Sequence, residues 1–401
     1  MQRLKLRSAT LPRRLVVAAG VAATVSACGA AGDREATRPG LAPGSAVPGL
    51  GAAELARFQA GQAQFNRVFT PAEGLGPLFN ENQCSACHTS PASGGTGEQI
   101  VLKATRFTPP DRCDPLSAEG GENVRTQATP LLKARGIARQ TPPANATEQG
   151  KLNPPFLFGL GAIDAIPALE LKRAAEEEPH DVRGRMGRTA SGVPGRFGRK
   201  ADVATLRDFV ESALRFEMGL TTPRHPMEAP AGFALPPATN PHPSPDVDQR
   251  TVDALVDYVR FLAPLPRALP SEPGALAQVQ QGEGVFRRIG CEECHIPQLR
   301  TGRSDVPALD RKVVRLYSDL LLHDMGAALA GTCAAGASPR EYRTEMLMGL
   351  RYRRQFLHDG RAYSLRDAIE RHGGQARAMA EAFRKLPLEE QTALLKFLDT
   401  L

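Results

Sequence analysis

The sequence predicts a mainly α-helical protein in which one domain plan occurs twice, with long irregular loops. Its 401 residues leave room for two or three domains. The motif Cys-x-x-Cys-His occurs at residues 84–88 and again at residues 291–295. Amphipathic helices are predicted at residues 248–263, where Pro264 ends the pattern, and from Pro387 to the C-terminus. A motif and a closing helix in each half predict two tandem domains.

The repeated motif is the attachment signal of c-type haem. Its two thiols add to the porphyrin vinyl groups, and the following histidine ligates the iron. Zinc binding by two Cys-x-x-Cys pairs and a thioredoxin-type redox pair are the alternatives. Because both copies carry the trailing histidine, we expect two covalent haem c groups in cytochrome c-like domains at residues 52–265 and 274–401. The attachment residues are Cys84, Cys87, Cys291 and Cys294, and the proximal iron ligands are His88 and His295.

The N-terminus predicts export. Residues 1–27 contain five basic residues and no acidic ones, and the basic residues precede an apolar run from Leu15 to Ala27. This run is too short to cross a membrane, so we interpret residues 1–27 as a signal peptide. The run ends in Val25-Ser26-Ala27-Cys28, which resembles a bacterial lipobox. We therefore favour lipidation of Cys28 over an ordinary signal peptide. Residues 28–51 are rich in Gly, Ala and Pro and predict a flexible tether with a reach of roughly 25 Å.

The charge balance depends on this processing. The full chain has 50 basic and 43 acidic residues and a formal net charge of +7. Removal of residues 1–27 takes away five basic residues and lowers the net charge to +2. The composition therefore gives no reason to expect a nucleic-acid partner. We expect the protein on the periplasmic side of a bacterial membrane, held by its lipid anchor, and we favour the outer membrane.

Between these signals the chain follows the same order in both halves. Apolar residues at helical spacing predict a helix before the first motif, at Leu55, Phe58, Phe65 and Phe69. Phe79 and Phe286 each lie five residues before the first cysteine of their motif. The Pro-rich residues 141–155 and 222–245 predict long surface loops. No stretch predicts a β-domain.

Two cysteines, Cys113 and Cys333, remain after the haem and lipid sites. In an oxidising periplasm they would form a disulfide. They could equally be small buried hydrophobic side chains. The sequence does not decide between these two states.

A resemblance to known families rests on several blocks. Phe356-Leu357-His358-Asp359-Gly360-Arg361, with Ser364-Leu365 and Ala368-Ile369-Glu370 after it, is similar to the C-terminal signature of bacterial diheme cytochrome c peroxidases. Over about residues 55–401 the chain more closely resembles the diheme oxidoreductase family, sometimes called thiol oxidoreductase-like. The further blocks are Gly76-Pro77-Leu78-Phe79-Asn80, Gly159-Leu160-Gly161, Asp164-Ala165-Ile166-Pro167, Gly195-Arg196-Phe197-Gly198 and residues 318–326.

The resemblance implies different sixth ligands for the two irons. In the peroxidase signature, the methionine ligand of the second haem lies fourteen residues after the histidine of His-Asp-Gly. This chain has His372 there, which implies a bis-His haem 2 with His295 and a lower potential. Met325 and His323 are competing candidates. Haem 1 has no strong candidate for a sixth ligand, and the resemblance points to it as the peroxidatic site.

Peroxide cleavage needs a group that moves a proton from the inner to the outer oxygen. Asp164, in an apolar run beside Pro167, is the carboxylate candidate, and the alternative is that it caps the helix that follows. Arg196 suits a haem propionate or a developing oxyanion, or it is a solvated arginine of a basic loop. These two are the predicted catalytic residues.

The chain departs from the family in its aromatic residues. It contains no Trp, and Arg199 stands where the family usually has Trp after Gly-Arg-Phe-Gly. Electron transfer between the haems would then use direct tunnelling or other aromatic residues, such as Tyr317, Tyr352 and Phe356.

From the sequence we expect a diheme c-type oxidoreductase that transfers electrons between its haems and reduces peroxide or another small oxidant at haem 1. A small redox protein or a quinol-linked donor would supply the electrons. The alternatives are a non-catalytic electron carrier and a haem accessory protein of metal uptake or redox sensing. An inter-haem calcium ion is left open as a further cofactor.

Overall fold

The computed structural model describes residues 41–237, 239–240 and 242–401. The helices in these ranges are α1 (Ala52–Phe65), α2 (Cys84–Cys87), α3 (Pro130–Ala134), α4 (Leu160–Asp164), α5 (Ala168–Glu177), α6 (Leu206–Glu217), α7 (Gln249–Phe261), α8 (Pro273–Arg288), α9 (Leu365–Glu370), α10 (Arg377–Lys385) and α11 (Leu388–Leu398). The strands are β1 (Leu78–Phe79), β2 (Val101–Thr108), β3 (Arg112–Asp114), β4 (Gln127–Ala128), β5 (Glu148–Leu152), β6 (Leu299–Arg300), β7 (Val313–Val314), β8 (Leu322–Asp324) and β9 (Glu341–Arg343).

Three predicted helices are confirmed as α1, α7 and α11. The side chain of Asp248 accepts a hydrogen bond from Thr251 N and starts α7. The helix ends at Phe261, before Pro264, because a residue that precedes a proline avoids the helical region. The last helix begins directly after Pro387, as predicted.

These helices form two pairs of the same design, α1 with α7 and α8 with α11. Each pair closes over a glycine: a Cβ at Gly61 would collide with the carbonyl oxygen of Ala254, and one at Gly282 with that of Ala393. One turn later, each first helix presents a buried phenylalanine to its partner. Gly61, which lies within the helix predicted for the first half, is therefore needed because only a residue without a Cβ lets the two helices pack this closely.

The two phenylalanines that follow these glycines are Phe65 and Phe286. Their rings lie 6.3 Å from that of His88 and 6.5 Å from that of His295. The equivalence of Phe79 and Phe286 suggested by sequence spacing is wrong, because Phe79 lies in β1, where it pairs with Gln127. The phenylalanine that repeats between the two halves is therefore defined by its place in the helix, and not by its sequence distance from the motif cysteines.

Two large hydrophobic cores and two clusters of four buried residues each lie in the described chain. The larger core contains residues of α1, α6 and α7, together with Leu316, Leu321 and Met346 from beyond residue 274. The smaller core is formed by residues of α8, α9, α10 and α11 with Tyr317 and Phe356. The segment around residues 316–348 therefore packs into the first core although it follows the second motif.

The sheets are small. The largest is antiparallel, with strand order β3-β2-β5, and the other three have two strands each within the described residues. Strand β5 lies inside residues 141–155, which were predicted as a loop. The described chain therefore combines helices with some sheet, although no stretch of the sequence predicted a β-domain.

The described end of the predicted tether is held against the folded chain. Val47 N donates to Phe261 O at 2.7 Å, and Ala263 N donates to Ser45 O at 3.0 Å. The predicted signal peptide and Cys28 lie outside the described residues. No helix among the described residues is long and apolar enough to span a bilayer.

Candidate haem sites

The first motif forms the short helix α2, and His88 follows directly. His88 N donates to Cys84 O at 3.1 Å. On its ring, Nδ1 lies 2.9 Å from Gly95 O, and the backbone of Pro155 also bonds to the imidazole. With Nδ1 anchored on Gly95, Nε2 is the nitrogen that would bind a metal. Desolvation lowers the pKa of His88. A neutral imidazole with one nitrogen anchored is the form that ligates iron.

A cavity of about 480 Å³ opens beside this motif. It is lined by the side chains of Cys84, Cys87 and His88 and by apolar residues such as Phe65 and Val259. Its volume lies in the range of about 300–1,000 Å³ that is usual for cofactor sites. Both thiols and the motif histidine belong to one largely apolar cavity, so the residues fit a haem attached here.

The placement of the motif cysteines bears on the zinc alternative. Desolvation raises the pKa of Cys84 and of Cys87 to about 12, so both thiols are protonated when no metal is bound. Among the described residues, the one group of His, Cys, Asp and Glu side chains close enough to share a metal is Cys294, Asp319 and His323. The four motif cysteines therefore do not form a zinc cluster.

The second motif repeats the arrangement of the first. His295 N donates to Cys291 O at 3.0 Å, and His295 Nδ1 lies 3.0 Å from Tyr317 O. Desolvation lowers the pKa of His295 to about 4 and raises that of Cys291 to about 12. The imidazole is again neutral and anchored through Nδ1, so Nε2 is available for iron.

His372 follows α9 and lies near the second motif. Its Nδ1 is 2.7 Å from Ala368 O, which leaves Nε2 free, and desolvation lowers its pKa. It is close enough that its charge would lower the pKa of His295. His372 therefore has the form and the neighbourhood that the predicted sixth ligand requires, and the assignment stays a prediction.

His323 is a poorer candidate for that position. Its Nε2 lies 2.9 Å from Asp319 Oδ2, and its Nδ1 lies 3.7 Å from Cys294 Sγ. The pKa of His323 rises to about 11: desolvation would lower it, but the bonds to Asp319 and Cys294 outweigh that. Both ring nitrogens are engaged, so neither is free for iron.

The two predicted catalytic residues lie apart from the first cavity. Asp164 Oδ1 accepts a hydrogen bond from Leu206 N at 2.8 Å, so it caps α6 and not the next helix. Arg196 Nη1 donates to the backbone oxygen of Asp164 at 3.3 Å, and burial lowers the pKa of this guanidinium. Neither side chain lines the cavity.

A different carboxyl group, Glu217, lines the cavity. Asn80 Nδ2 donates to Glu217 Oε2 at 2.8 Å, and Asn123 Nδ2 donates to Oε1. Desolvation raises the pKa of Glu217, although the two amide donors and nearby Lys103 and Arg125 lower it. Sequence reasoning missed this residue, because Glu217 ends an amphipathic helix and matches no motif.

Cys113 and Cys333 form a disulfide, with 5.8 Å between their Cα atoms. This outcome confirms one of the two alternatives that the sequence left open. Cys333 also lines the first cavity. The bond therefore joins β3 to a C-terminal segment at the wall of the haem 1 site.

A family model described as "di-haem oxidoreductase, putative peroxidase" matches residues 156–401. The chain belongs to this family. No curated protein matches it. Membership implies haem cofactors and oxidoreductase chemistry, in agreement with the two motif sites.

Several solved structures share weak similarity with this di-haem oxidoreductase. Hydrazine synthase from Kuenenia stuttgartiensis is 14% identical over 98% of this chain and 100% of its own, with a TM-score of 0.39. A MauG-like protein associated with microbial copper homeostasis is 15% identical over 61% and 88%, with a TM-score of 0.30. The diheme peroxidase BthA from Burkholderia thailandensis is 16% identical over 86% of each chain, with a TM-score of 0.32. At these identities and TM-scores, the similarities support no conclusion about the function of this protein.

The aromatic residues expected to connect the haems do not line the first cavity. Tyr317 accepts the hydrogen bond of His295 through its carbonyl, and its ring packs on Phe286 and Phe397. A backbone hydrogen bond joins the segment of Tyr317 to that of Met346. Leu347 N donates to Leu316 O at 3.1 Å, and the adjacent Met346 lines the cavity.

The described residues contain no ligand set suited to calcium among their His, Cys, Asp and Glu clusters. Calcium takes six to eight oxygen ligands. The cluster of Cys294, Asp319 and His323 offers one sulfur, one nitrogen and one carboxylate oxygen. The inter-haem calcium ion stays a prediction without an identified site.

Proposed function

We propose that this protein is a periplasmic, lipid-anchored diheme cytochrome c that reduces peroxide, or another small oxidant, at haem 1. One observation carries the proposal. The cavity that holds Cys84, Cys87 and His88 also holds Glu217, a carboxyl group whose pKa is raised. A metal-binding position and a proton-carrying group therefore face the same enclosed space.

Two tandem cytochrome c-like domains are part of this proposal. The repeated helix pairs support it, since Gly61 with Phe65 and Gly282 with Phe286 occupy the same places relative to their motif histidines. Covalent attachment is supported at the first motif by Cys84, Cys87 and His88 lining one cavity, and at both motifs by a histidine anchored through Nδ1 on a backbone carbonyl. The first core also draws on residues 316–348, so the domains would share an extensive contact.

When bound, haem supplies an iron with an exchangeable coordination position and the electrons for reduction. The overall reaction converts one peroxide, two protons and two electrons to two waters. Glu217 can accept a proton from peroxide and return it to the leaving oxygen, because burial raises the pKa of its carboxyl group and makes it a stronger base than an exposed glutamate. Asn80 and Asn123 hold both oxygens of its carboxylate and thereby orient it.

The second site is proposed to carry electrons without chemistry. His372 would complete the coordination of haem 2 opposite His295, which excludes an exogenous ligand. Its Nδ1 bond to Ala368 O orients the ring for this role. Electrons from a small redox protein or a quinol-linked donor would enter here and pass to haem 1.

The anchoring and the location rest on the sequence. The lipobox-like residues before Cys28 support attachment to a membrane, with the outer membrane favoured. The disulfide between Cys113 and Cys333 supports an oxidising compartment. No feature of the described residues calls for nucleic acid.

A non-catalytic electron carrier is the second candidate, and one observation favours it. Met218 and Met346 both line the first cavity. A methionine thioether is a common sixth ligand of electron-transfer haems. Binding of either sulfur to the iron of haem 1 would close the site.

The test is Glu217→Gln in the haem-loaded protein. Peroxide-dependent oxidation of a reduced donor should fall by roughly 10²–10⁴-fold, the usual contribution of a general acid or base, while covalent haem content is unchanged. Glu122→Gln is the matched control, because Glu122 lines the same cavity but accepts a hydrogen bond from Ser117. Full activity of Glu217→Gln would remove Glu217 from the mechanism, and no turnover in the wild type would favour the carrier.

A further inference from the structure

Three buried arginines converge on one carboxylate beside the first cavity. Arg353 Nη2 lies 2.6 Å from Glu345 Oε1, and Arg343 Nη2 lies 3.4 Å from Glu345 Oε2. Arg199 Nη1 pairs with the same Oε2. The arginine side chains are only 4%, 5% and 8% exposed. We name Arg199, Arg343, Arg353 and Glu345 the arginine cluster.

The arginine cluster is short of negative charge. It contains three guanidinium groups and one carboxylate, which leaves an excess of two positive charges. The attraction of the three arginines holds the pKa of Glu345 at about 2, against desolvation, so the carboxylate is ionised. The charge of Asp319 also raises the pKa of Arg343, but the Asp319 carboxylate is already paired with His323. Buried charge without a counter-ion is costly, so a further anion is required.

Unused hydrogen-bond donors support the same conclusion. The Nε–H groups of Arg199 and Arg353 are buried and donate to no acceptor in the described chain. Arg343 uses Nε for Gly198 O and Nη2 for Glu345, which leaves Nη1. Buried donors are normally satisfied, so these positions indicate a bound acceptor.

The geometry places that acceptor in the haem 1 cavity. Arg199 and Arg343 line this cavity together with Cys84, Cys87 and His88. Arg353 lies behind them, with its guanidinium carbon 4.5 Å from the centre of the Phe156 ring, and Phe156 also lines the cavity. A haem brings two propionate carboxylates, whose charge equals the excess of the cluster.

We propose that Arg199 and Arg343 bind the propionates of haem 1, and that Glu345 and Arg353 position them. The proposal rests on the proposed function only in taking this cavity as the site of haem 1. Arg196, which the sequence suggested for this role, does not line the cavity.

The expected consequence is a raised reduction potential at haem 1. An ionised propionate stabilises ferric iron, and a paired guanidinium cancels that charge in a low-dielectric cavity. Arg199 is itself held by Asn153, at 2.6 Å to Oδ1 and 3.0 Å to the backbone oxygen. The fold therefore holds the Arg199 guanidinium in one position at the cavity wall.

The test is the midpoint potential of haem 1 in Arg199→Trp and Arg199→Gln, measured by spectroelectrochemistry on the haem-loaded protein. Both variants should shift the potential downward, with covalent haem retained by the thioether bonds. Arg199→Lys, which keeps the charge, should shift it less. Arg188→Gln is the control, because Arg188 is an exposed arginine of the same loop that bonds Gly192 O, and it should shift nothing.

An unchanged potential in a folded Arg199→Gln protein would overturn the proposal. So would an equal shift in Arg199→Lys, or a phosphate-induced shift in the wild type that Arg199→Gln abolishes, since that would show a site open to free anions. The potential does not depend on peroxide turnover. Loss of the proposed peroxidase activity and loss of propionate binding are therefore distinguished.

Discussion

The two motif sites are built alike up to the proximal histidine and differ beyond it. In both, a glycine-spaced helix pair presents a phenylalanine to the histidine, and the histidine anchors Nδ1 on a backbone carbonyl. The first site opens into a cavity that contains Glu217. The second has His372 nearby with a free nitrogen. The proposed function gives these two similar sites different chemistries, and it assigns the difference to the residues beyond the motif histidine.

The difference follows from what the chain inserts between motif and closing helix. After the first motif, residues 89–248 include β2, β5 and α6, and residues of all three line the cavity. After the second, residues 296–387 include α9, which ends next to His372. The longer insertion supplies much of the cavity wall, to which the shorter one adds residues such as Cys333 and Met346. The shorter insertion also carries His372, the proposed ligand of haem 2.

The largest effects should come from removing each attachment in turn. Cys84→Ser with Cys87→Ser should remove haem 1, and Cys291→Ser with Cys294→Ser should remove haem 2. Each double variant should lose the mass of one haem under denaturing conditions. Peroxide reactivity should disappear in the first variant, because it loses the iron of the first cavity. Retention of both haems by either variant would refute covalent attachment.

His372→Ala should convert haem 2 from low-spin to high-spin while haem 1 is unaffected. His372→Met should instead keep it low-spin and raise its potential, since axial ligands set haem potentials over about 0.8 V. Near-infrared magnetic circular dichroism of the ferric protein distinguishes these states. An unchanged low-spin signal in His372→Ala would transfer the ligand role to another residue, with Met325 the next candidate.

The disulfide offers a change confined to the first site. Cys113→Ser with Cys333→Ser should lower the free energy of unfolding by about 2–4 kcal/mol, because the bond closes a loop between residues 220 positions apart. Cyanide binding to haem 1 should also change, since Cys333 lines the first cavity. The spectrum of haem 2 should not move. Chemical denaturation followed by the Soret band measures the free energy of unfolding, and a cyanide titration of the folded protein measures the response of each haem. Equal effects on both haems would contradict the expectation that the change is confined to the first site.

The smallest expected effect is that of Tyr258→Phe in α7. The Tyr258 hydroxyl donates to Ser93 O at 2.8 Å, and its loss should cost about 1 kcal/mol of stability. Tyr317→Phe is the counterpart at the second site, where the hydroxyl accepts a longer 3.3 Å bond from Arg267. Thermal unfolding compares them, and a greater loss in Tyr317→Phe would reverse the expected order.

Features encoded locally were predictable from the sequence. The motifs and the helices α1, α7 and α11 follow from spacing within one segment, and the candidate His372 follows from the resemblance to the peroxidase signature. Glu217 did not, because it meets Asn80 across 137 positions. The arginine cluster was equally hidden, since Arg199 and Glu345 are 146 positions apart. Asp164 had the right chemistry, but only the fold shows that its carboxylate is engaged by Leu206 N.

The central claim is that only haem 1 has an exchangeable coordination position. Electron paramagnetic resonance of the ferric protein during a cyanide titration tests it most directly. We predict that cyanide changes the resonance signal of one haem and leaves that of the other, low-spin haem unchanged. The variant without Cys84 and Cys87 should lack the haem that responds. Two low-spin haems that both resist cyanide would contradict the account and identify an electron carrier.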